Sequence, residues 1–119
     1  MRLSFFPDGS QDCPLLLISH ASAEELEALR KAAGDLGSGA RDHAVVSVGP
    51  DSEVTLVFRA ADRDVGILLT PPSFECRLRR VRWENIEGLI EPFLPTSSGY
   101  QWLVDRGEVS LILSPSGTW

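Results

Sequence analysis

The sequence predicts a single α+β domain over residues 1–119, with about six to eight short strands in a mostly antiparallel sheet and two amphipathic helices packed on one face. Three observations lead to this fold class. The length of 119 residues is typical of one domain with one core. The apolar fraction of 43% and the charged fraction of 24% are ordinary globular values. Along the chain, the spacing of apolar residues changes between the period of two typical of strands and the period of about 3.6 typical of helices. Most of the predicted strands are joined by turns too short for a parallel crossover.

The first helix has the clearest local signal. Ser22 and Glu25 form a capping box. Apolar residues then recur at helical spacing, at Leu26, Leu29, Ala33 and Leu36. Gly34 is a natural end for a helix. The sequence therefore predicts a helix over 22–34, preceded by strands at 2–6 and 14–19 and followed by an exposed, glycine-rich loop over 34–42.

A period of two begins at His43 and predicts four strands, over 43–48, 54–59, 65–69 and 74–79. Turn signals at 49–52, 61–63 and 71–73 separate them, so they are expected to form an antiparallel meander. The last strand must end or bulge near Arg79, because its continuation would bury Arg80 and Arg82 on the apolar face.

A second helix is predicted to start near residue 79, since Trp83, Ile86, Ile90 and Phe93 recur at helical spacing. Pro92 limits its length. A closing hairpin over 100–104 and 108–114 turns at 105–107. The expected order of elements is ββαββββαββ, and the order of strands in the sheet stays open.

Charge and composition restrict the class of protein. The net charge of −6 disfavours binding to phosphate backbones and to anionic membranes, and it suits a basic protein partner. The longest aliphatic run covers only residues 15–18, so neither a signal peptide nor a membrane span is predicted, and a cytoplasmic location is expected. Cys13 and Cys76 are interpreted as buried thiols, with a single bridge between them as the alternative.

The chemistry-bearing residues do not form a recognisable catalytic pattern. The sequence has two histidines, His20 and His43, and no Gly-x-Ser-x-Gly motif. Its histidines and cysteines lack the spacing of metal ligands. No catalytic residue, metal site or cofactor is predicted, and an enzymatic function is disfavoured.

Two candidate surfaces follow from the remaining residues. The leading hypothesis is a small acidic partner-binding or regulatory protein without catalytic activity, such as an inhibitor of immunity type. Its predicted partner-binding residues are Tyr100, Trp102, Trp119, Glu84, Glu87 and Glu91. The alternative is a ligand- or anion-binding domain, with Cys76 as a further candidate beside a site built from Arg77, Arg79, Arg82 and His20. A third hypothesis is a homo-oligomeric structural protein, a dimer formed through an edge strand.

Overall fold

The computed structural model describes residues 1–10, 13–46, 48–50, 52, 54–95, 98–105 and 107–117. These residues form an α+β fold in the order ββαββββαββ, which confirms the predicted class and order of elements. The strands are β1 (Arg2–Ser10), β2 (Cys13–Ser19), β3 (His43–Val45), β4 (Thr55–Ala60), β5 (Gly66–Ile67), β6 (Ser73–Leu78), β7 (Gln101–Val104) and β8 (Ser110–Ser114). The helices are α1 (Ala23–Ser38) and α2 (Arg80–Ile90), and α2 continues into a 3-10 turn (Glu91–Phe93).

Helix α1 begins as predicted but ends later. The Glu25 N–H donates to Ser22 Oγ at 3.2 Å and the Ser22 N–H donates to Glu25 Oε1 at 2.9 Å, so the capping box is formed. The predicted end at Gly34 is wrong, because the helix runs to Ser38 and Gly39 caps it in the left-handed conformation. Leu36 is fully buried, and this tertiary burial outweighs the low helix propensity of glycine.

Helix α2 begins where the sequence breaks its strand alternation. Strand β6 ends at Leu78 and the helix starts at Arg80, which confirms the predicted boundary. The apolar side of α2 is buried through Trp83, Ile86 and Ile90. The predicted periodicity of this helix is therefore confirmed.

Arg80 joins the start of α2 to the end of α1. Its guanidinium donates to the Leu36 carbonyl at 2.9 Å, to the Arg41 carbonyl at 3.2 Å and to Asp42 Oδ1 at 2.9 Å. A cation at this position complements the free carbonyls at the C-terminal end of α1. Arg80 thus fixes both the end of α1 and the chain that leads into β3.

Replacing Arg80 with alanine is expected to lower the free energy of unfolding by about 1–2 kcal/mol, since three hydrogen bonds from a partly exposed cation are lost. Arg80→Lys should recover only part of this, because an ammonium cannot reach three acceptors in the geometry of the guanidinium. Urea denaturation followed by circular dichroism measures the change. Arg63→Ala, at an exposed arginine, is the control and should stay within about 0.5 kcal/mol of the parent. Equal effects of the two alanine variants would contradict the role assigned to Arg80.

The strands form two four-stranded mixed sheets. Sheet A has the order β1-β2-β8-β7 and sheet B has the order β3-β4-β6-β5. Neighbouring hairpin strands pair antiparallel, as expected, but the central pairs β2–β8 and β4–β6 are parallel. The predicted meander is therefore wrong, since β6 lies between β4 and β5. The reason is visible at the turn after β4, where the Ala61 N–H donates to the Leu78 carbonyl and the Val65 N–H to the Arg77 carbonyl. Because of these bonds, the chain crosses the end of β6 after β4, and β5 pairs with the edge of β6 that faces away from β4.

The topology repeats although the sequence shows no internal repeat. The first half of the chain (β1, β2, α1, β3, β4) has the same order of elements as the second half (β5, β6, α2, β7, β8). Each sheet takes one hairpin from each half and joins them through a parallel pair. The two sheets are therefore topologically equivalent, and α1 and α2 pack against each other.

One core joins the helices to the inner faces of both sheets. Trp83 lies within it, fully buried, with its ring centroid 4.6 Å from that of Phe58. A second, smaller cluster on the other face of sheet A contains Leu15, Leu17 and Ile112, with Trp102 packed against it. Neither of the helices in the described ranges has the length and hydropathy needed to span a bilayer.

Candidate functional site

A groove of about 270 Å³ lies between α1 and β3. Its apolar lining comes from one side of α1, from β3 with the residue after it, and from one residue of β4: Ala28, Leu29, Ala32, Ala44, Val45, Val46 and Phe58. Ala28 and Ala32 are four residues apart and so share one face of α1. Because alanine side chains are short, they leave space between helix and strand that larger residues would fill.

Strand β3 forms an edge of sheet B, and the groove follows this edge. On its paired side, the Val46 N–H donates to the Leu56 carbonyl and the Asp42 carbonyl accepts from the Ala60 N–H, both at 2.9 Å. Hydrogen-bonding direction alternates along an antiparallel strand, so the N–H and C=O groups of His43 and Val45 point away from β4. No other strand of the described ranges lies beyond them. The groove is therefore bordered by main-chain groups available to another strand.

Charged residues mark the two ends of the groove. At the start of α1, the Met1 ammonium contacts the Glu25 carboxylate and lowers the pKa of that carboxyl, and the Ser22 N–H acts in the same direction. Near the end of α1, Arg41 Nη2 lies 3.6 Å from Asp35 Oδ2. Each end thus pairs a cation with a carboxylate, and between the ends lie the apolar residues and the exposed Lys31 of α1.

The outer face of sheet B, opposite the core, carries a row of basic side chains that reaches the free edge. Two cross-strand rows are aligned on it: His43, Arg59 and Arg77 in one, and Val45, Val57 and Glu75 in the other. Arg59 Nε donates to Glu75 Oε1 at 3.1 Å, and Arg77 Nε contacts the same oxygen. The hydrogen bond from Arg77 is the main cause that lowers the pKa of the Glu75 carboxyl, and Arg59 lowers it further. One carboxylate is thus shared by two guanidinium groups, which leaves this face positive.

Of the predicted anion site, Arg77 lies in this row, whereas Arg79, Arg82 and His20 do not. Arg79 donates to Asp64 Oδ2 from Nη2 at 3.0 Å and from Nε at 3.2 Å, and it lowers the pKa of that carboxyl. The charge of Arg82 acts on Asp64 in the same direction. His20, exposed and at positive φ, follows β2 in sheet A, where its Nδ1 lies 3.0 Å from Ser19 Oγ. The structure binds Arg79 to Asp64, places Arg82 where its charge acts on the same carboxylate, and leaves His20 in the other sheet.

Cys76 cannot share a site with Arg77, because adjacent residues of β6 point to opposite faces. Its side chain is buried in the core, and burial raises the pKa of the thiol. Cys76 is a free thiol. In the stretches of chain that the structure describes, no group of three or more His, Cys, Asp or Glu side chains is arranged to hold a metal ion.

The predicted partner-binding residues occupy two different parts of the fold. Tyr100 is 55% exposed just before β7, whereas Trp102 packs against the small cluster on sheet A. Trp119 lies outside the described residues. The acids belong to the helix pair: Glu84 is exposed on α2, Glu87 accepts from Arg30 Nη1 at 2.9 Å, and Glu91 begins the 3-10 turn.

The groove was not predicted from the sequence, and of the basic row only Arg77 belonged to the predicted arginine-rich strand face. Ala28 and Ala32, beside the buried Leu29 and Ala33, gave a visible signal of a helix face without large side chains. The sequence did not reveal which strand lies opposite that face, because the edge position of β3 depends on the strand order.

The chain matches no protein-family model, and searches of curated proteins and of solved structures return no significant match.

Proposed function

We propose that this protein is a non-catalytic protein-binding domain that takes an extended segment of its partner along the free edge of β3. The observation that carries this proposal is the position of a strand edge, without a partner strand in the described ranges, beside a largely apolar groove. In strand addition, main-chain hydrogen bonds supply affinity, and pockets for alternate side chains supply specificity. The edge of β3 offers the main-chain groups for such hydrogen bonds, and the groove beside it offers a pocket for side chains.

The dimensions of the groove suit a short extended segment. Its helical wall runs from Glu25 to Asp35, which is about 15 Å at a rise of roughly 1.5 Å per residue. An extended chain covers that distance in about four or five residues. Alternate side chains of such a segment would enter the groove between β3 and the two alanines of α1, and the others would lie on the outer face of sheet B.

The net charge of −6 supports a basic partner at the level of the whole protein. A long-range negative field speeds the approach of a positively charged protein. This is the behaviour expected of a small regulator or of an immunity-type inhibitor with a basic target.

Filling the groove is expected to abolish partner binding without unfolding the domain. Ala28→Arg places a long side chain in the groove at an exposed helical position, where arginine is a good helix former. We expect a partner captured from the native lysate by the tagged parent protein to be lost from this variant, with a loss of affinity of at least about tenfold. Asn85→Arg adds the same charge at an exposed position of α2 and should retain the partner.

A second variant tests the strand edge itself. Val45→Pro removes an N–H that points away from β4, and proline is tolerated on edge strands, so the fold should survive and binding should not. Retention of the partner by both Ala28→Arg and Val45→Pro would exclude this docking site. Self-association through the same edge is tested by light scattering. A dimer that becomes monomeric in Val45→Pro would show that a second copy, and not a different protein, occupies the edge of β3.

A further inference from the structure

We infer that the segment that docks on β3 carries an acidic residue beside His43, an apolar residue at the next position and a second apolar residue beside Val45. This inference rests on the proposed function, and it names the chemistry of the partner at the site. It follows from the register of sheet B and from the charges that the register aligns.

The register determines which side chains the docked segment would meet. In a sheet, residues aligned across strands share a face, and their side chains are direct neighbours. His43 is aligned with Arg59, and Arg59 with Arg77. A residue paired with His43 on a new strand would therefore extend this row by one position, on the same outer face.

The charges of the row favour a carboxylate at that position. Glu75 is the acid that contacts both Arg59 and Arg77, so one negative charge faces two positive ones. The Arg59 and Arg77 side chains are 42% and 54% exposed, and Arg59 is the nearer of the two to a docked segment, because β4 lies next to β3 and β6 lies one strand farther away. Asp42, the acid next to β3 in the chain, is bound by Arg80 Nη2 at 2.9 Å. A carboxylate beside His43 would thus balance the row, whereas a lysine there would add to its positive charge.

The next two positions of the segment meet apolar surface. The side chain after the acidic one points inward, toward the groove walls at Ala28, Leu29 and Ala32. The following one lies beside Val45, which is 66% exposed and is aligned with Val57. Docking would cover this exposed valine, and apolar contact there is favourable.

An acidic docking residue is compatible with a basic partner. Charges separated by more than about 8 Å are largely screened at physiological ionic strength. Contact at the edge therefore depends on the local basic row, while the net charge of −6 acts mainly during approach. The partner can be basic overall and still present one carboxylate to β3.

Six synthetic peptides test the inference, with three different three-residue cores, each made in two orders, between threonine and glycine flanks. The cores are Glu-Val-Val, Gln-Val-Val and Lys-Val-Val, and each is also made in reverse order because the segment could run in either direction. Titration into the isotope-labelled full chain is followed by NMR up to millimolar peptide. We expect a Glu peptide to shift the amide signals of β3 and to bind at least about tenfold more tightly than its Lys counterpart.

Charge variants show whether the preference for Glu over Lys comes from the basic row or from the overall charge of the protein. The double variant Arg59→Gln and Arg77→Gln should reduce the preference for Glu over Lys to less than about threefold. Arg79→Gln removes one positive charge outside the row, from a residue bound to Asp64, and should leave the preference unchanged. Equal binding of all three cores at the β3 edge would overturn the acidic preference and leave the proposed function intact. Absence of shifts at β3 with every core would overturn the inference, while loss of the captured partner in Ala28→Arg would still support the proposed function.

Discussion

Replacement of Trp83 by alanine will lower the free energy of unfolding by about 3–5 kcal/mol, the range observed when large aromatic side chains are removed from cores. Trp83 is fully buried, and its ring packs against Phe58. Its Nε1 donates to the Arg59 carbonyl at 3.1 Å, so the side chain joins α2 to β4. Since Phe58 lines the groove, the same substitution should also weaken partner binding. Urea denaturation followed by circular dichroism gives the change in stability.

Trp83→Phe separates packing from hydrogen bonding. Phenylalanine keeps an aromatic ring against Phe58 but cannot donate to the Arg59 carbonyl, so a loss of about 1–3 kcal/mol is expected. Tyr100→Ala, at an exposed aromatic residue, should change stability by less than about 0.5 kcal/mol. If Trp83→Ala were as mild as Tyr100→Ala, the placement of Trp83 in the core would be wrong.

Gly37→Ala should lower the free energy of unfolding by about 1–2 kcal/mol, although alanine is the better helix former. A Cβ at Gly37 would lie 2.5 Å from Glu84 Cγ and 3.0 Å from the Glu84 backbone nitrogen. A side-chain rotation cannot relieve the contact with the backbone, so α1 must move away from α2. Differential scanning calorimetry of the variant and the parent measures the change.

Gly88→Ala is the matched substitution with the opposite expected sign. Gly88 lies on the exposed side of α2, where an added Cβ meets no atom within 4 Å. Alanine there should raise the free energy of unfolding by about 0.5–1 kcal/mol, because it restricts the unfolded chain. Stabilisation by both substitutions would show that the helices are not in close contact at Gly37.

The spacing of the helices also bears on the proposed site. One side of α1 contacts α2 at Gly37, while another side lines the groove through Ala28 and Ala32. A displacement of α1 in Gly37→Ala would therefore change the width of the groove.

Local signals in the sequence determined the type, order and several boundaries of the elements. The capping box at Ser22 marks the start of α1. The end of β6 is marked by Arg80 and Arg82, which continued strand alternation would place on the apolar face. These features depend on residues within a few positions of one another, because side-chain period and capping are properties of a single helix or strand. They are readable before any tertiary contact is known.

Tertiary structure decided the rest. The end of α1 passes Gly34 because burial of Leu36 and contact with α2 outweigh local propensity. The parallel pairs β2–β8 and β4–β6 arise from contacts between separate hairpins, which short turns between consecutive strands do not specify. Those pairings alone make β3 an edge and align His43 with Arg59 and Arg77. The helix face at Ala28 and Ala32 thus follows from the local sequence. The strand edge beside it exists because β4 pairs with β6, and that pairing forms only when the two halves of the chain come together around the core.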